Sequence, residues 1–270
     1  MSATDKIPQA QHRLSIQVDL NGLSFVIEDM QTHTCLHSKY YPYTLPGTDY
    51  NDWTKDVEAL FKKDEWLQKR AEQCTVCVIT PKHTLVPSGL FRSTQAAALL
   101  KELFVLDDLD EVNYTELPQI GATCIYAIPA PISAMIFKYQ RKAVFLAHVI
   151  PLFHFLASQK DFSRALLYYT PSFIHLILMQ GDKLLLCNAY SIDRFTSALY
   201  YVFFALKQWQ LNPHSLSLYI SGAFKPMHLK QLTQFFPTIT VATEAEYVFP
   251  SESLNLQFGS HFFPTSALCE

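Results

Sequence analysis

The stretch from Leu166 to Gly222 constrains the architecture more than any other part of the chain. It opens with an apolar run, LLYYTPSFIHLILMQ, which bends at Pro171 into two strands. It turns at Gly181-Asp182 and continues in a further strand-like run, KLLLCNAY. A helical pattern then runs from Ser191 to Leu211: Ile192, Phe195, Leu199, Val202, Leu206 and Trp209 recur at three- and four-residue steps, along one helix face. Ala198, Phe203, Phe204 and Ala205 widen that stripe, which predicts a helix buried on most sides with Leu199 enclosed. Ser191 is the expected N-cap, and Asp193 sits in the first turn against the positive end of the helix dipole. Asn212-Pro213 stops the helix, and SLSLYISG follows as a short strand.

The first half carries the same order of elements. RLSIQVDLNGLSFVIED sets two alternating runs around Asn21-Gly22, a dipeptide suited to a two-residue hairpin, and a third run covers Thr34 to Tyr40. TDYNDWTKDVEALFKKDEWLQKR reads as one helix with Trp53, Val57, Leu60 and Phe61 inward, and CTVCVIT as a buried strand. HTLVPSGLF reads as irregular, Thr94 to Phe104 as a short helix and LDDLDE as a solvated connector. Thr123 to Ile128 is a strand, Ile132 to Tyr139 a helix, Ala143 to Ala147 a strand and Val149 to Ser158 a helix. Three strands, a helix and a strand thus occur twice, and laying Val18-Asp19 on Tyr168-Tyr169 gives a repeat of 150 residues. Such a doubled unit needs mixed sheets flanked by helices, an α/β class, with halves at 1–162 and 163–270. The tail adds a helix from Met227 to Phe236, a strand at Thr238 to Ala242 and a segment from Ser251 to Phe258.

Composition narrows the function classes. An apolar fraction of 49% with 17% charged residues describes a chain with a filled core. At a net charge of −3, the densest basic pieces, Lys62-Lys63 with Lys69-Arg70 and Lys138 with Arg141-Lys142, are short and read as solvated faces; no nucleic-acid partner is expected. The start of the chain lacks the apolar core of a secretory signal, and no run is long enough for a membrane span, so a cytoplasmic protein is expected. Cys74 and Cys77 form a C-x-x-C inside a strand, where positions three apart face opposite sides, so they read as buried structural thiols. The seven glycines are too dispersed for a P-loop, a dinucleotide fingerprint or a nucleophile elbow. His33/His37 and His148/His154 lack the spacing of a zinc helix, and His175 in an apolar strand reads as a core histidine. No catalytic residue and no metal ligand is selected.

The duplicated order resembles the actin-like ATPase superfamily, whose two ribonuclease-H-like halves clasp a nucleotide. HTLVPSGLF, LLLCNAYS, ALYYVFFALKQWQL and LYISG resemble a bacterial family of unknown function with that fold. The fold is also similar to that of actin-like scaffolds in pilus and secretion assemblies. The resemblance implies where a nucleotide would sit. The first phosphate loop corresponds to Asp19-Leu20-Asn21-Gly22-Leu23-Ser24, with Asp19 as the metal-holding carboxylate and Gly22 displaced by one. The second corresponds to Tyr169-Thr170-Pro171-Ser172, which has neither carboxylate nor glycine. The adenosine motif corresponds to Ser221-Gly222-Ala223. Asp19, Gly22, Ser24, Ser221 and Gly222 are therefore the candidate cofactor-binding residues. The expectation is a non-catalytic binding or assembly module with a degenerate nucleotide site, no cofactor, and a protein partner or self-association. Tyr40-Tyr41-Pro42-Tyr43 and His261-Phe262-Phe263-Pro264 are candidate anchors. The alternative is a Mg-ATP-binding protein or ATPase with atypical loops. A ribonuclease-H-like nuclease ranks last, since only Asp19 and Glu28 are available as carboxylates in the relevant strands.

Overall fold

The computed structural model describes residues 12–18, 22–31, 34–42 and 50–242. In the first half, β1 (His12–Val18), β2 (Gly22–Asp29) and β3 (Thr34–Pro42) form an antiparallel meander. Beyond β1, β4 (Gln73–Val78) and β8 (Ala143–Ala147) extend the sheet in parallel. In the second half, β9 (Ser163–Tyr169), β10 (Phe173–Gln180) and β11 (Lys183–Ser191) form the meander. There β12 (Ser217–Gly222) and β13 (Thr238–Val241) are the parallel extension. Both five-stranded sheets thus have the order third, second, first, fourth, fifth.

The register of the repeat differs by one from the sequence expectation. Arg13 pairs with Gln73 at the start of β4, and Arg164 pairs with Ser217 at the start of β12. The halves are therefore offset by 151 residues (164 less 13), and Val18 is matched by Tyr169 rather than Tyr168. A slip of one matters because it moves every side chain to the opposite sheet face. The two matched arginines are both buried, a feature the sequence reading missed. Arg13 donates to Glu28 across the β1–β2 pair at 3.1 Å. Arg164 instead donates to the carbonyls of Leu156 and Asp161, each at 2.7 Å. These lie in and just after α5 (Val149–Ser158), the helix that joins the sheets. A cation at a helix C-terminus satisfies carbonyls that have no partner within the helix.

Three local readings are corrected. The long first-half helix is two, α1 (Tyr50–Lys63) and α2 (Glu65–Gln68), because buried Asp64 interrupts it as an N-cap. Its carboxylate accepts from the Trp66 amide at 2.9 Å and the Tyr41 hydroxyl at 2.7 Å. HTLVP is not irregular: β5 (His83–Pro87) pairs with β7 (Ala122–Pro129), which also pairs with β6 (Asp110–Leu117), making an antiparallel three-stranded sheet. The acidic connector is not simply solvated. Lys82 holds Asp107 at 2.8 Å and Asp110 at 2.6 Å, and the Asp110 side chain is buried. Two helices flank this region, α3 (Ala96–Lys101) against the small sheet and α4 (Ala130–Tyr139) against α1.

The second-half helix is also corrected. Ser191 ends β11, and α6 (Phe195–Gln208) begins later, with Arg194 at its N-cap and no side-chain cap bond. Its buried side is Phe195, Ala198, Val202, Ala205 and Leu206, packed with α7 (Pro226–Leu232) on the outer face of the second sheet. Leu199 is only half-buried, and Tyr200 and Phe204 are exposed and stacked on one another. An aromatic-rich stripe looked like an all-round core surface, yet only one side of the helix meets the sheet. Trp53 as an inward side chain and the segment Ser251 to Phe258 lie outside the described residues. Leu206→Ala should therefore cost about 2–5 kcal/mol of stability in urea melts, and Leu199→Ala less than half of that. Equal losses at both positions would contradict the orientation of α6.

Candidate functional site

In an actin-like arrangement the ends of β1 and β9 and the turns that follow them face the space between the halves. A connected core cluster includes Val18, Leu23, Phe25, Val76 and Val78 of the first sheet, Leu152, Phe155 and Leu156 of α5, and Leu166, Tyr168, Phe173, Ile177 and Tyr219 of the second sheet. α5 is in contact with β9 and β10, and β5 with β11. Packed with the cluster is a group of buried rings from β5, the start of α5, β9 and β10. His175 on β10 lies 5.0 Å from His83, 5.1 Å from Phe173 and 5.9 Å from Tyr168, measured between ring centroids. His148, at the N-cap of α5, lies 4.4 Å from Tyr168. His83, His148, Tyr168, Phe173 and His175 are all buried.

Burial disfavours the charged imidazole, so it lowers the pKa of each affected histidine. His83 falls to about 4, mainly through burial. The Thr80 and Pro81 carbonyls lie close enough to oppose that shift, but neither is aligned to complete a hydrogen bond. His175 falls well below its ordinary value through burial first, then through His83 and His148 beside it. Among the described residues no group of three or more His, Cys, Asp or Glu is placed to hold a metal ion. His83 and His175 are therefore neutral packing rings near pH 7.

Each of the sequence-selected residues has a definite place, apart from Asp19, which lies outside the described residues with Leu20 and Asn21. By count along the repeat, Asp19 corresponds to Thr170. The Thr170 hydroxyl closes its own turn: it donates to the Phe173 carbonyl at 2.7 Å and accepts from the Phe173 amide at 3.0 Å. The neighbouring Pro171 supplies no N–H. Gly222 has a φ of +100°, and a Cβ there would stand 2.3 Å from the Tyr169 carbonyl oxygen. The same oxygen accepts from the Ala223 amide at 2.8 Å, so this glycine lets β12 close on the end of β9. Ser221 is buried beside it, in register with Tyr168.

Gly22 and Ser24 lie on β2 of the other sheet. A Cβ at Gly22 would meet the Tyr40 hydroxyl and the Tyr41 carbonyl, both at 2.6 Å. Each candidate glycine thus makes room for its own sheet. Of the aromatic anchors, Tyr40 is exposed at the edge and Tyr41 is tied to Asp64; Tyr43 and His261 to Pro264 lie outside the described residues. Glu28, one of the two carboxylates of the nuclease reading, is occupied by Arg13. Cys74 and Cys77 lie buried in β4, where burial pushes the Cys74 thiol up to about 12 and Cys77 well above its ordinary value. The ring group went unnoticed in the sequence because its members come from four separate elements. A signal did exist: three histidines sit in or beside otherwise apolar runs.

The buried histidines give the fold a pH dependence of known sign. In the unfolded chain they protonate as pH falls below about 6.5, while the folded chain keeps them neutral. Stability is thus full above about 6.5 and is lost as pH falls towards about 4, where His83 protonates in the fold as well. His83 alone accounts for about 3 kcal/mol over that window. Urea melts between pH 7 and pH 4.5 should show this loss, and His83→Phe should flatten it. A wild-type stability independent of pH over that range would contradict the packing described.

Comparison with known proteins places this geometry. A protein of unknown function with an actin-like ATPase fold from Bacteroides thetaiotaomicron matches with a TM-score of 0.77 at 18% identity, over 89% of this chain and 94% of that one. The PilM-PilN type IV pilus biogenesis complex matches with a TM-score of 0.52 at 16% identity, over 93% and 95% of the two chains. The cytoplasmic domain of EpsL, an inner-membrane component of the Vibrio cholerae type II secretion system, matches at 0.45 and 10% identity, over 91% and 92%. A comparison with curated protein sequences returns no match. The first of these likenesses shows the actin-like ATPase fold. Among the described residues no helix is long and apolar enough to cross a membrane. Residues 2–239 match the family described as protein of unknown function DUF3822, and the chain belongs to that family.

Proposed function

We propose that this protein is a binding or assembly module on an actin-like scaffold, with the space of the nucleotide given over to protein core. The reading takes residues 1–162 and 163–270 as the two halves. The observation that carries it is the buried ring group of His83, His148, Tyr168, Phe173 and His175, packed together from β5, α5, β9 and β10. Phosphoryl chemistry needs preorganised N–H donors and bound metal at the transferring group. The second turn offers Pro171, and its Thr170 hydroxyl is already bonded within the turn. Neutral buried histidines supply no cation for a triphosphate. With this chemistry lost, surface contact with another protein is the use that fits the scaffold. Likeness to the PilM-PilN complex, in which a similar fold meets another protein, supports that use.

Millimolar Mg·ATP should leave the melting temperature unchanged and should not be hydrolysed. A nucleotide at about a hundredfold excess over its Kd would add ~2.7 kcal/mol, which a melt detects readily. A clear upward shift that disappears in Asp19→Ala would overturn this reading in favour of an ATP-binding protein with atypical loops.

A further inference from the structure

The two densest basic pieces of the sequence are far apart in the chain, and the fold sets them side by side. Where α1 packs on α4, Lys62 and Lys138 share the Glu58 carboxylate at 3.4 and 3.7 Å. Below them a groove of about 810 Å³ runs between the connector Glu65 to Glu72 and the turn Gln140 to Lys142. Lys142 reaches across it to Glu72 at 3.4 Å. Arg70 and Arg141 stand exposed, one on each wall.

The groove is fixed in shape by one buried side chain. The Gln140 amide nitrogen donates to the carbonyls of Leu67 at 2.9 Å and Lys69 at 2.8 Å. Its amide oxygen accepts from the Ala71 amide at 3.1 Å. The connector is therefore stitched to the turn, and the arginines are positioned before any ligand arrives, which lowers the entropy cost of binding.

The charge of this face opposes that of the molecule. The two basic pieces hold seven of the chain's 21 lysines and arginines, against Glu58, Glu65 and Glu72 on the same surface, while the whole chain carries −3. A concentrated positive field on an otherwise acidic protein attracts and orients an anionic partner. The arginine fork matches a carboxylate in two-point geometry.

Resting on the binding-module reading, we propose that this groove docks an acidic, extended segment of a partner protein. Its lining sets Lys69, Arg70, Arg141 and Lys142 against Glu65 and Glu72, with Arg70 and Arg141 on two separate chain segments, so that carboxylates spaced along one polypeptide meet both arginines. Single-stranded nucleic acid is bound by stacking bases on aromatic rings. The Trp66 ring beside the groove is already occupied, with the Lys69 ammonium 4.3 Å from its centroid and His37 stacked at 5.9 Å.

The test uses the full chain and a short fluorescein-labelled polyglutamate peptide, followed by fluorescence anisotropy. Saturable binding that weakens with added salt is expected, with polylysine inactive. The double variant Arg70→Glu with Arg141→Glu should bind at least about tenfold more weakly while melting like the wild type. The control Lys101→Glu with Lys230→Glu makes the same change in net charge elsewhere and should bind normally. Absence of peptide binding, or binding equal in the two double variants, would overturn the proposal. So would tighter, arginine-dependent binding of phosphatidylglycerol vesicles or of a single-stranded oligonucleotide. Neither arginine lies in the ring group between the sheets, so a positive Mg·ATP shift would sink the preceding reading and leave a positive peptide result standing.

Discussion

The structure depends on α5, which packs against β9 and β10 of the second sheet and belongs to a core cluster that also reaches the first sheet. Leu14, Ile16 and Val18 of β1 and Leu166 and Tyr168 of β9 belong to the same cluster as Leu152, Phe155 and Leu156 of α5. Fully burying side chains of this size contributes about 1.5–3 kcal/mol each, so even a partial separation of the halves would be costly. Arg164 adds a directional constraint, since it ties the C-terminal turn of α5 to the first turn's worth of β9. Tyr168 and the three histidines follow from that closure. They are polar enough to have served at a wet cleft, yet here they are packed as rings, with burial holding His83 and His175 neutral.

Most of the fold was legible because its signals are local. Gly181-Asp182 marks the hairpin turn between β10 and β11, and α5 falls at the residues that its apolar run predicts. The repeated order of strands gave the class. What escaped was set by tertiary contacts. The break at Asp64 follows from its bonds to Trp66 and Tyr41, and Tyr41 belongs to a strand distant in sequence. β5 is short and contains Pro87, so its strand character appears only through pairing with β7. The orientation of α6 was ambiguous because aromatic residues occur on both of its sides; the sheet, not the helix, decides which are covered. The repeat spacing was one residue short because identity between the halves is slight, and the ladder pairs of Arg13 and Arg164 were needed to fix it.

The candidate site was legible in a narrower sense. Sequence motifs pointed to the second turn and the β12 glycine but not to the work these do in the fold. Gly222 allows β12 to meet Tyr169, and Thr170 bonds its own turn, both structural roles. The groove beside Gln140 was hidden for the opposite reason. Its two basic pieces each look like ordinary solvated surface, and only the packing of α1 on α4 combines them.

The central claim is that the two halves form one cooperative body through the core they share. Differential scanning calorimetry of the full chain at neutral pH tests it most directly. A shared core predicts one transition whose calorimetric and van't Hoff enthalpies agree. Two resolved transitions, or a calorimetric enthalpy well above the van't Hoff value, would show that the halves unfold separately and would contradict the account.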